Sequence, residues 1–210
     1  MNNTLDKILE LSLQLFAKYG IRSVSMDDIA RQMGMSKKTL YQYIDNKADL
    51  VNKSMQRHLE MERAFVKKIF DADKNAIDEM IEIGNFVYQK LQQMHRPNLV
   101  YDLQKYYREC WQILEKHRTE FIYTTVLRNI EQGMAEGLYR QNLKPKLIAR
   151  FYIDHSKIFF ETDIHITQQY QAADIYIELL KYHIYGIASE KGMQYLRDNL
   201  ATIKNNQYVK

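Results

Sequence analysis

At 210 residues, 46% hydrophobic and 27% charged, the chain has the composition of a soluble globular protein with room for a small domain and a larger one. A formal net charge of +4 is mild for a nucleic-acid binder, so any attraction to phosphate has to be local. The single cysteine, Cys110, excludes an intramolecular disulfide, and no apolar run approaches the roughly 20 residues that cross a bilayer. Asp6 and Glu10 interrupt the N-terminal stretch and no small-residue cleavage site follows, so the expected compartment is the cytoplasm, with no membrane partner.

Leu5, Ile8, Leu9, Ser12, Leu15, Phe16 and Tyr19 recur at helical spacing and predict a first helix that ends at Gly20. The stretch Ser25 to Lys47 predicts two short capped helices around a glycine turn. Ser25 is an N-cap with Asp28 in the capping-box position, and Met26, Ile29, Ala30 and Met33 share one face. Gly34 supplies the turn. Ser36 caps the next helix, with Met35 placed to pack on Leu40 as a hydrophobic staple. At about 100° per residue, Leu40 and Ile44 face inward and Lys38, Thr39 and Gln42 face solvent, where they can reach base edges. Tyr41 and Tyr43 flank the stripe with hydroxyls suited to phosphate oxygens. Asn46 with Asp49 opens a long fourth helix through Leu50, Val51, Met55, Leu59 and Phe65, and Lys47 adds charge in a first turn that already favours anions.

Beyond Lys47 the only prolines are Pro97 and Pro145, glycines are sparse, and no alternating pattern or repeat appears, which predicts an all-α protein. Ile77, Met80, Ile81, Gly84, Val87, Tyr88 and Leu91 define a helix that stops before Pro97. Another runs from Leu99 to about His117, and one from Thr119 to Tyr139 closes at Gly137. Pro145 starts a long helix through Ile148, Phe151, Tyr152, Ile158 and Phe159, followed by one from about Ala173 to Ser189 and a short tail helix after Gly192.

The motif Ser25-x-x-x-Ile29-Ala30, Gly34-x-Ser36-x-x-Thr39-Leu40-Tyr41-x-Tyr43 and Asn46-Lys47-x-x-Leu50 resembles the N-terminal domain of TetR-type transcriptional regulators, as does the opening helix ending in Gly20-Ile21. Ile44 departs from the family, which most often has phenylalanine there, but the exchange is apolar for apolar. The resemblance covers about the first quarter of the chain, together with the Gly133, Gly137, Leu138-Tyr139-Arg140 ending in the body. It implies a three-helix helix-turn-helix DNA-binding domain over residues 1–50 and a larger helical effector-binding and dimerisation domain over residues 51–210. It implies phosphate contacts at Ser25 and Lys47, base-facing Lys37, Lys38 and Thr39, and backbone contacts by Tyr41 and Tyr43. The helical wheel agrees except at Lys37, which it places toward the core side, and it adds Gln42.

The two late helices are apolar on more than one side, as expected at the centre of a domain or in an interface. The resemblance implies the second, a homodimer through a four-helix bundle; Phe151, Tyr152, His155, Phe159, Tyr176, Leu179, Leu180, His183 and Ile187 are the candidate interface. A dimer also allows two short reading helices to meet a palindromic operator on double-stranded DNA. Sixteen tyrosines, ten methionines and one tryptophan suit an adaptable pocket as well as a core. Phe86, Tyr106, Tyr107, Cys110, Trp111 and Phe121 lie on the helices that surround the effector cavity in related proteins, which implies an unknown small-molecule effector.

His58, His95, His117, His155, His165 and His183 are scattered without ligand spacing, so no metal is expected. Cys110 beside Trp111 suits either a redox sensor or a small buried cysteine. No nucleophile elbow, phosphate loop or carboxylate pair occurs, and neither a cofactor nor enzymatic activity is expected. The expected function is a ligand-responsive DNA-binding regulator that represses, with activation undecided by sequence; the rival is an architectural, nucleoid-associated factor using the same head.

Overall fold

The helices that begin at Met26, Lys37 and Lys47 each place a first-turn N–H on a capping side chain, and this punctuation sets the order of elements. A computed structural model describes residues 3–93, 98–159 and 169–204. Helices α1 (Asn3–Tyr19), α2 (Met26–Gln32), α3 (Lys37–Leu40) and α4 (Lys47–Phe70) are followed by α5 (Ala76–Gln93), α6 (Asn98–Tyr106) and α7 (Arg108–Lys116). A π-helical turn over His117–Ile122 leads into α8 (Tyr123–Ala135), then α9 (Pro145–Ser156) with a 3-10 turn at Lys157–Phe159, α10 (Ala172–Ile187) and α11 (Glu190–Lys204). The fold is all-α; among the described residues the sole β-type pairing is an isolated antiparallel bridge between Tyr139 and Ala188.

The helices form two compact units. The first comprises Met1–Ala64 and Gln93–His117, the second Phe65–Gln92 and Arg118–Lys210. In the first, Ile8, Phe16, Ile21, Ile29, Leu40, Ile44, Leu50, Leu103 and Cys110 are buried in one core. In the second, Ile77, Met80, Val126, Ile130, Tyr139, Ala149, Tyr176, Leu180 and Ile184 form another. The Tyr139 hydroxyl donates to Ala76 O at 3.2 Å and to Asn129 Oδ1 at 3.0 Å, so its ring can be buried whole without an unmet polar end. Its ring lies against Gly133, where any side chain on that residue would collide with it. Nearby, Arg128 pairs with the buried carboxylate of Glu79 at 3.1 Å and covers the Phe70 ring at 3.6 Å.

Several boundaries differ from the sequence reading. The helix expected from Leu99 to His117 is broken at Tyr107, whose φ of −129° and ψ of 57° leave the helical region. The helix expected from Thr119 begins instead as a π-turn. The helix expected to reach Ser189 stops at Ile187, because Ala188 is extended and bridges Tyr139. Ser189 then caps α11: its Oγ accepts from Gly192 N at 3.0 Å, so the tail helix starts before Gly192 rather than after it. The expected run of α9 through Phe159 tightens into the 3-10 turn after Ser156.

Candidate nucleic-acid interface

Ser25 and Asp28 close a reciprocal capping box. Ser25 Oγ accepts from Asp28 N at 3.1 Å, and Asp28 Oδ2 accepts from Ser25 N at 2.9 Å and from Ser25 Oγ at 2.6 Å. The hydrogen bonds from Ser25, with help from the Arg31 guanidinium, hold the Asp28 carboxyl below its ordinary range. At the other end of α2, Met35 N donates to Ala30 O at 3.0 Å and Gly34 N to Arg31 O at 3.1 Å, with Gly34 at φ +65°. This is a Schellman turn, and a residue with a Cβ is strained at its positive φ.

Ser36 caps α3 by accepting from Thr39 N at 3.0 Å, and its hydroxyl also bonds the Thr39 hydroxyl at 2.8 Å. Leu40 and Ile44 are buried, as the periodicity predicts. The helix is shorter than the wheel assumed: after Tyr41 the bonds become i to i+3, Gln42 N to Thr39 O at 3.1 Å and Tyr43 N to Leu40 O at 3.0 Å. Lys38 and Gln42 are exposed, Tyr41 is 42% exposed, and Tyr43 is half-buried against the core.

Lys37 is exposed and paired with Asp27 at 2.9 Å, an ion pair that raises its pKa and uses part of its charge within the protein. Asn46 caps α4 by accepting from Asp49 N at 3.0 Å. Lys47, in that first turn, is half-buried, and burial lowers its pKa against the opposing pull of Asp102. Ser25, Lys37, Lys38, Thr39, Tyr41, Gln42, Tyr43 and Lys47 all belong to the first unit.

Two capped helices joined through a positive-φ glycine, with an apolar inner face and cationic, hydroxyl and amide groups outside, form a helix-turn-helix DNA-binding module. Residues 8–53 match the sequence profile of the family described as "Bacterial regulatory proteins, tetR family", which assigns the N-terminal helix-turn-helix segment to that family's DNA-binding domain. It is 22% identical over 161 residues to the HTH-type transcriptional repressor KstR2 of Mycobacterium tuberculosis, covering 73% of this chain and 78% of that protein. The solved structure of that ketosteroid transcriptional regulator superposes with a TM-score of 0.55 at 20% identity, covering 90% and 97% of the two chains. A TetR-family regulator from Agrobacterium tumefaciens gives a TM-score of 0.70 at 13% identity over 89% of this chain and 98% of its own. A regulator from Saccharomonospora viridis, solved in complex with choline, gives 0.65 at 16% identity over 90% and 100%. The profile match and these relatives support a helix-turn-helix DNA-binding transcriptional regulator over an architectural factor.

The anticipated pocket residues are divided between the units. Tyr106, Tyr107, Cys110 and Trp111 belong to the first and Phe86 and Phe121 to the second. Cys110 is fully buried, with Tyr107 and Trp111 packed against the same core. Burial, and secondarily the Glu109 charge, pushes the Cys110 thiol up to about 12, which suits a packing cysteine rather than a reactive one. Tyr106 is 46% exposed. Phe86 stacks on Phe65 with ring centroids 4.2 Å apart, and Phe121 is half-buried in the π-turn.

Of the anticipated dimer residues, Tyr176, Leu180 and Ile187 lie in the interior of the second unit's own core. Phe151 and His155 are exposed, Leu179 is half-buried, and Tyr152 meets His183 edge to face at 4.9 Å. The Phe159 side chain lies outside the described residues, as do His95 and His165. Leu147, Tyr182 and Tyr185, outside the anticipated set, are also exposed; the first is four residues before Phe151 and the others sit three apart on α10. Among the described residues no group of three or more His, Cys, Asp or Glu is placed to hold a metal, and no helix is long and apolar enough to cross a membrane.

Because the folded Asp28 pKa is depressed, its contribution to stability is present above the ordinary aspartate range and is lost as pH falls through the lowered folded value. Asp28→Asn is therefore expected to reduce the acid-side loss of stability, measured by urea unfolding between about pH 5 and pH 2. An unchanged acid profile would mean that the capping carboxylate is not titrating with the fold.

Proposed function

We propose that the protein is a homodimeric repressor that reads a palindromic operator through Lys37, Lys38, Thr39 and Gln42. Ser25, Tyr41, Tyr43 and Lys47 hold phosphates, and a small-molecule effector releases the dimer from DNA. The observation that carries the reading is the way buried Leu40 and Ile44 leave Lys38, Tyr41 and Gln42 outward on a capped helix. Dyad-related reading helices must meet major grooves about 34–36 Å apart, so a shift of a few ångströms between them weakens both half-sites together. Helix α4 carries Lys47 at its first residue and runs without a break to Phe70, which makes it the natural lever for such a shift. Release requires an effector affinity that differs between conformers by several kcal/mol.

The dimer face is proposed to be the exposed apolar stripe of Leu147, Phe151, Tyr182 and Tyr185, with His155 beside it. Tyr182 is 75% exposed and Phe151 48%, an apolar display that a partner copy would cover. The effector is proposed to bind the second unit, which holds Phe86 and Phe121 and, among the described residues, two buried polar atoms without a hydrogen-bond partner, Asn85 Oδ1 and His183 Nε2. Burial depresses the His183 pKa to about 4, with the nearby His155 as a second cause, so the ring is neutral near pH 7. These atoms suit a largely apolar effector with one or two polar groups.

Lys38→Ala and Tyr41→Phe should keep the fold and the dimer while weakening binding to an operator recovered by genomic footprinting; the lysine variant should also lose base discrimination of about 1–3 kcal/mol. Operator binding left intact in both variants would remove the reading surface assigned here. Phe151→Glu and Tyr182→Glu should each raise the monomer fraction in sedimentation equilibrium, whereas wild-type protein that sediments as a monomer at micromolar concentration would overturn the dimer. In a thermal-shift screen, an effector at about a hundred times its dissociation constant adds roughly 2.7 kcal/mol. Asn85→Leu should remove that shift without lowering the ligand-free melting point, and a full shift in the variant would place the effector elsewhere.

A further inference from the structure

On the first unit, beyond the helix-turn-helix, a second cluster of cations is arranged on aromatic rings. Arg22, in the turn between α1 and α2, places its guanidinium 4.7 Å from the centre of the Tyr106 ring at the end of α6. Lys105 lies 5.1 Å from the Tyr101 ring and 5.4 Å from the Tyr106 ring, and its Nζ donates to the Tyr101 hydroxyl at 2.6 Å. The two rings meet edge to face, with centroids 6.5 Å apart. All four residues are exposed.

Four other cations of this unit are paired with carboxylates. Lys37 pairs with Asp27, Arg31 with Asp28, Lys53 with Asp49 and Arg57 with Asp6. Among the described residues, neither Arg22 nor Lys105 pairs with a carboxylate; a ring orients each charge and leaves it uncompensated. The acids on α6 and at the start of α7 are engaged or inward: Asp102 is buried, and Glu109 accepts from Asn52 Nδ2 at 2.7 Å. That last bond also fixes the position of the cluster. It ties the start of α7, just past Tyr106, to α4 five residues after Lys47, so the end of α6 lies beside the α4 turn that carries the candidate phosphate contact. Arg22 is close enough to Lys47 to act on its charge.

We propose that Arg22 and Lys105, held on Tyr106 and Tyr101, form an accessory contact to the DNA phosphate backbone that continues the track begun at Lys47. Such a contact carries no base information; it adds affinity that depends on salt and not on sequence. The inference rests on the DNA-binding reading of the helix-turn-helix. The competing reading, that the cation–ring stacks only fasten the α1–α2 turn to α6, gives a loss of stability with no change in how binding responds to salt.

The test uses the full chain and a labelled random-sequence DNA duplex of about 40 base pairs, roughly four helical turns. Affinity is measured against salt for wild type, Lys38→Ala and the double variant Arg22→Gln with Lys105→Gln. Loss of two phosphate contacts should make the slope of log K against log salt shallower by about 1.8 per protomer, while an Arg22→Lys, Lys105→Arg pair restores it. In the wild-type protein, bound duplex should also slow acetylation of Lys105, a readout that does not depend on any variant folding. A slope unchanged in the double variant, or Lys105 acetylation unaffected by duplex, overturns the accessory contact while wild-type binding leaves the head's role standing. No salt-dependent binding by wild-type protein overturns both.

Discussion

Leu40 and Ile44 are buried in the core shared by α1, α2, α4 and α6, and that burial is the constraint on which the outward chemistry of the helix-turn-helix depends. Full burial of a leucine or isoleucine side chain contributes about 1.5–3 kcal/mol, enough to fix the rotation of a helix as short as α3 about its own axis. With the inner side fixed, Lys38, Tyr41 and Gln42 have nowhere to project except solvent. Four α-helical residues would not hold together by propensity alone. The Ser36 cap at one end and the i to i+3 bonds of Tyr43 and Gln42 at the other supply what the length lacks.

The same economy of local bonds appears at every junction of this unit. Ser25 and Asp28 satisfy each other's backbone, Gly34 turns the chain through a conformation other residues resist, and Asn46 opens α4 one residue before Lys47. A compact reading module of this kind needs little charge overall. Arg31, Lys37, Lys53 and Arg57 are each paired with a carboxylate, so the positive character lies with cations such as Lys38 that have no such pair among the described residues, which reconciles a net charge of only +4 with phosphate binding.

In the second unit the physical theme is different. Helices α9 and α10 are apolar on more than one side, and the burial pattern divides those sides. Tyr176, Leu180 and Ile187 fill the interior, while Leu147, Phe151, Tyr182 and Tyr185 remain outside. A wide apolar surface on a helix signals that two environments compete for it, but the width does not say which residues go to which. Buried polar atoms give the unit its second distinction. Tyr139 and Asn129 meet each other's needs and stiffen the core, whereas Asn85 Oδ1 and His183 Nε2 find no partner among the described residues.

The helical class, the caps at Ser25, Ser36 and Asn46, the turn at Gly34 and the inward pair on α3 were all legible in the sequence, because each rests on residues within four positions of one another. The break at Tyr107, the π-turn after Lys116 and the end of α10 at Ile187 were not. The last of these reflects the pairing of Ala188 with Tyr139, 49 positions apart in the chain, that no local pattern announces. The division of α9 and α10 into inner and outer residues, and the seating of Arg22 on Tyr106, were likewise decided by tertiary structure alone. Sequence determines what a short segment can do with its own backbone and periodicity. Which side chain ends up against which distant one depends on how whole helices pack, and there burial and steric fit outweigh local preference.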